Sequence, residues 1–165
     1  MIKIENLLED AKDFVRKIIE ALKKDGIKVS DLELDHLCFR TETREDYSYF
    51  KEKLFEIGRF ISEVEIAGRP IALYKLSSPI IVDNREIYFI ELPAPKKESS
   101  FLNGWEHAEF VIKDNFEDFM KKYPAVKFDL GDISKPTNPD IKIKYDGFCV
   151  KFHHKSLEEV RKCGE

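Results

Sequence analysis

The strongest constraint on this chain is an order of elements that occurs twice. After an N-terminal helical segment at residues 1–30, the residues read as βαβββ over 31–95 and as βαβββ again over 103–165. The two stretches share little identity, so the repeat is one of pattern. Strands and helices mixed in this way predict an α+β fold, read as one domain over residues 1–165.

Each element has its own signal. Ile4, Leu7, Leu8, Ala11, Phe14, Val15, Ile18, Ile19 and Leu22 recur at helical spacing, which predicts an amphipathic helix ending near Lys24, before Asp25-Gly26. Its broad apolar face suits packing or a homodimer contact. A strand follows at 34–40, and Thr43 then offers an N-cap to a helix carrying Tyr47, Phe50, Leu54 and Ile57 and stopped by Gly58. Residues 59–66 and 69–76 form a hairpin across Ala67-Gly68, Ser77-Ser78-Pro79 breaks the pattern, and 86–92 is the fourth strand.

A Pro-, Lys- and Ser-rich connector leads to the second round. Its first strand is 105–112, and Asp114 with Glu117 resembles a capping box for a helix bearing Phe116, Phe119, Met120 and Tyr123. A strand is expected at 126–130 and a loop at 132–140. Residues 141–145 and 148–154 make a hairpin across Asp146-Gly147. Ser156 and Glu159 cap a last helix that runs out at Gly164.

The net charge of −4 is spread over both signs with no basic block, so no footprint for nucleic acid or an anionic membrane is expected. No run reaches transmembrane length, and the first residues do not read as a signal peptide. Three cysteines at irregular spacing make neither a disulfide framework nor a zinc knuckle, which suits a cytoplasmic setting.

Chemistry concentrates on three strands. Alternation puts Leu37 and Phe39 on one face of the first strand and His36, Cys38 and Arg40 on the other. In the second unit Ala108, Phe110 and Ile112 oppose His107 and Glu109, and Phe148, Val150 and Phe152 oppose Cys149, Lys151 and His153. The apolar faces are expected to cover helices, leaving both histidines on the opposite side. Glu91 shares its face with Ile87 and Phe89. Two histidines and a carboxylate form a donor set for a divalent metal with open positions, although a lone strand histidine is more often structural. Cys38 has no helix N-terminus to activate it and reads as wall lining.

Four blocks then carry a resemblance: LDHLCFR, GRPIALYKL, FIELPAP and GWEHAE, in that order, with the ending VKFHHKSL. Together they resemble the YecM-like family of the vicinal oxygen chelate superfamily, which includes glyoxalase I, bleomycin-resistance proteins and extradiol dioxygenases. The resemblance implies two modules paired into a curved eight-stranded sheet around a cleft. It implies a divalent metal (Zn, Ni, Fe or Mn) on His36, Glu91 and His107, with Lys151 where a second glutamate is expected. It also implies a small-molecule substrate with adjacent oxygens, chelated for isomerase-, lyase- or dioxygenase-like chemistry. Lys151 could meet a substrate carboxylate or act as acid or base, and Arg40 and Glu109 are the next candidates for substrate contact or catalysis, or for a salt bridge with each other. The alternative is a metal-free small-molecule-binding module of the same fold.

Overall fold

A computed structural model of the chain describes residues 3–97 and 101–162. Among them are seven strands and four helices, an α+β architecture. The elements are α1 (Ile4–Lys24), β1 (Glu33–Arg40), α2 (Arg44–Ile57), β2 (Gly58–Ile66), β3 (Arg69–Val82), β4 (Arg85–Pro93), β5 (Gly104–Val111), α3 (Phe116–Lys121), β6 (Ile141–Lys144), β7 (Cys149–His153) and α4 (Leu157–Lys162). The chain divides into two compact units, Met1–Phe14 with His36–Glu106, and Val15–Asp35 with His107–Glu165. No described helix is long and apolar enough to cross a membrane.

In the first unit the strand order is β2-β3-β4-β1. β2 and β3 form the expected hairpin, with Ala67 and Gly68 both at positive φ in the turn. β4 returns antiparallel to β3 and runs parallel to β1, with Cys38 level with Glu91. Thr43 caps α2 through a complete capping box with Asp46, and Tyr47, Phe50 and Leu54 bury the face of α2. Phe39 contributes to that core by packing edge-on against Phe50 and Trp105.

Ser77-Ser78-Pro79 does not break β3. The strand runs through to Val82, and its pairing with β4 shifts register between Lys75 and Ile80. A bulge is where a proline, lacking an N–H, can sit without costing the ladder a hydrogen bond.

In the second unit the order is β5-β7-β6, with β5 and β7 parallel and β6 antiparallel to β7. Ala108, Phe110, Val150, Phe152, Ile141 and Ile143 are buried on one face, with Phe119 of α3 against Phe152. The expected eighth strand at 126–130 is a correction: it makes only an isolated bridge, Asp129 with Lys142. Phe128 does turn in to Phe119 and Phe152, but the Asp129 side chain accepts the Gly131 N–H and turns the chain into the loop after one pair.

The cap of α3 also moves by one residue. Asn115, not Asp114, accepts from the N–H three residues on, Asp118, while Asp114 pairs with Lys122. Ser156 and Glu159 exchange both bonds of their capping box as expected; Gly164 lies outside the described residues.

Candidate functional site

In the first unit, β1 and β4 lie side by side and place His36 and Glu91 near each other. His36 is fully buried, and its Nε2 lies 3.7 Å from Glu91 Oε2. Glu91 stays partly open to solvent. On the same face of β1, the Cys38 thiol donates weakly to Glu106 at 3.9 Å. Arg40 Nη1 sits 3.5 Å from Glu106 Oε1, with its guanidinium stacked 3.9 Å over the Phe101 ring. The partner of Arg40 is therefore Glu106, a residue the sequence reading left unassigned.

The second unit holds a denser cluster. Glu109 is buried, and its Oε1 lies 3.1 Å from both His107 Nε2 and Lys151 Nζ. The register explains this: His107 and Glu109 are two apart on one face of β5, and Glu109 is directly level with Lys151 of β7. Oε2 of the same carboxylate lies 3.6 Å from His153 Nε2, which is also 3.6 Å from Asp35 Oδ2. Asp35 in turn accepts the Leu157 N–H at 2.9 Å.

His153 was visible in sequence only as a residue sharing the face of Lys151. Its own surroundings fix its proton. The Asn138 amide Nδ2 donates to His153 Nδ1 at 2.7 Å and to the Lys155 carbonyl at 3.1 Å. A flipped amide would turn its oxygen toward that carbonyl, so the amide orientation is set and Nδ1 must accept. The neutral ring then carries hydrogen on Nε2, aimed between two carboxylates. Asn138 sits in the expected loop at positive φ and carries no periodic signal that could have exposed it.

The next row of this face is also charged. Lys142, level with Lys151 on β6, donates to Asp132 at 2.7 Å, and Lys135 donates to Asp140 at 2.8 Å. The Lys142 hydrogen bond holds the Asp132 carboxyl below the ordinary carboxylate range.

Comparison with known proteins bears on what these groups are for. The chain is 27% identical to the Escherichia coli K12 protein YecM over 173 aligned positions, covering 96% of this chain and 92% of that protein. It is 28% identical to a Haemophilus influenzae protein over 173 positions, covering 93% and 91%. A solved structure described as Protein EC4020 superposes with a TM-score of 0.80 at 25% identity, over 98% of this chain and 92% of that one. A methylmalonyl-CoA epimerase, solved with methylmalonyl-CoA and ammonium, matches with a TM-score of 0.55 at 13% identity, over 78% and 97%. That likeness shows the fold alone, the vicinal oxygen chelate fold. The model of the YecM protein family matches residues 3–163, and the chain is a member of that family.

Proposed function

We propose that this chain is a divalent-metal enzyme of the vicinal oxygen chelate superfamily, acting on a small substrate with adjacent oxygens. The observation that carries the reading is that each unit sets a buried imidazole from its first strand beside a carboxylate: His36 with Glu91 of β4, and His107 with Glu109 of β5 itself. Imidazole and carboxylate are the donors that Zn, Ni, Fe and Mn accept, so the residues suit such an ion. The ligands that the family resemblance implies are His36 and Glu91 from the first unit and His107 from the second. A bound divalent ion supplies Lewis acidity toward an enolate or activates dioxygen.

The chain's own groups would do the rest. Lys151, partly exposed at the place where a glutamate is expected, can meet a substrate carboxylate or move a proton at its Nζ. Arg40 is a further anion-binding group, although it must first leave Glu106.

A metal-free binding module is the second reading, favoured by one contact: the Lys151 ammonium already neutralises Glu109. Lys151→Glu separates the two. If Lys151 serves an anionic substrate beside a metal, the variant tightens Mn2+ binding and weakens binding of small 2-oxo acids, each by about tenfold, the scale of one charge-assisted contact. Paired titrations of wild type and variant read both. No change in either would leave Lys151 without a part in the site.

A further inference from the structure

The geometry points to Glu109 as a metal ligand: the carboxylate of the second unit has moved from β7, where Lys151 stands, to β5, beside His107. This rests on the metal reading above and gives Glu109 a ligand's role in place of the catalytic one its sequence position suggests.

Three observations carry it. First, His107 Nε2 and Glu109 Oε1 are 3.1 Å apart. Two donors on one ion with bonds of about 2.1 Å at right angles stand about 3 Å apart. Second, the same oxygen holds the Lys151 ammonium at 3.1 Å, so a cation already occupies its approach. Third, Glu109 and Lys151 are level in the register of β5 and β7. The position that the resemblance gives to glutamate carries an ammonium here and its cross-strand neighbour carries the carboxylate, so the unit keeps one carboxylate on that row.

The other oxygen of Glu109 faces an independent group 3.6 Å away. His153 Nε2–H approaches Oε2 and Asp35 Oδ2 from between them, and Asn138 holds the ring in that tautomer. His153 is a positioning residue here, because it acts through Glu109. An ion at Oε1 competes with Lys151 for the same lone pairs. Loading therefore swings the ammonium aside, where it can meet an anionic substrate group.

Co2+ is the probe, because its d–d absorption reports the donor set. Untagged wild type, Glu109→Gln, Lys151→Gln, the double variant and His153→Asn are titrated with Co2+ and followed by absorption and calorimetry. Lys151→Gln is expected to bind at least tenfold tighter than wild type. Glu109→Gln is expected to bind more than 100-fold more weakly with altered bands, whereas His153→Asn loses only about 10- to 100-fold, the range of an outer-shell partner. Glu109→Gln binding Co2+ with unchanged affinity and bands would overturn the inference while leaving the metal reading standing. If wild type binds none but Lys151→Gln does, loss of binding in the double variant supports Glu109 as the ligand, and binding retained there overturns it. No binding by any form would overturn both.

Discussion

At the residue scale the second unit is organised by one carboxylate. Burying Glu109 is costly unless it is paired, and it is met by Lys151 and His107 on one oxygen and His153 on the other. Lys151 is the cation among them, so removing it leaves the buried carboxylate uncompensated. The proton on His153 is open to a direct test. Nitrogen-15 NMR of the imidazole at neutral pH is expected to show hydrogen on Nε2 and none on Nδ1. Asn138→Asp offers a carboxylate that accepts from Nδ1–H, so Nδ1 should gain a hydrogen. Hydrogen on Nδ1 in wild type, or the same protonation in both proteins, would contradict the orientation of Asn138. Alternation alone placed His36, His107, Glu109 and Lys151 on polar faces, because a strand's period of two leaves no other choice. It could not find Asp35 or Asn138, whose parts depend on contacts with residues more than ten positions away.

At the element scale, the caps and turns that depend on a few adjacent residues were legible: Thr43, Ala67-Gly68 and Ser156 with Glu159 all do what their chemistry suggests. Errors arose where a neighbouring strand decided the outcome. β3 continues past Pro79 because β4 resumes pairing beyond the bulge, and residues 126–130 form no strand because pairing with β6 stops after Asp129. Gly58 is the instructive case. It ends α2 as its type suggests, yet its φ of −159° is extended backbone that any residue adopts. What demands glycine is space, since a Cβ there would stand 2.7 Å from the Lys75 carbonyl oxygen. Gly58→Ala must push β2 away from β3 and is expected to cost about 1–3 kcal/mol, the range for overpacking. Gly104→Ala, with nothing within 4 Å of its added methyl, is the control and should leave stability nearly unchanged. Urea unfolding of both variants checks this. Equal midpoints would remove the close approach as the reason for glycine.

At the scale of the whole molecule, the repeated element order and the vicinal oxygen chelate fold agree, and family membership extends over nearly the full chain. The strand count was the part the sequence obscured, since 126–130 alternates like a strand but lacks a continuing partner. The central claim is that this fold, in this chain, holds a metal through His36, Glu91 and His107. Each of these residues presents a donor atom, so truncation removes a ligand while leaving the buried apolar faces intact. The decisive measurement is metal content by elemental analysis, beside thermal unfolding, for untagged wild type, His36→Ala, Glu91→Ala and His107→Ala grown with Fe, Mn, Ni and Zn supplied. The account predicts about one ion per wild-type chain and a loss of most of it in each variant, with much smaller changes in unfolding temperature once all four proteins have been stripped of metal. Equal and negligible metal in all four proteins would contradict it and leave the metal-free binding module.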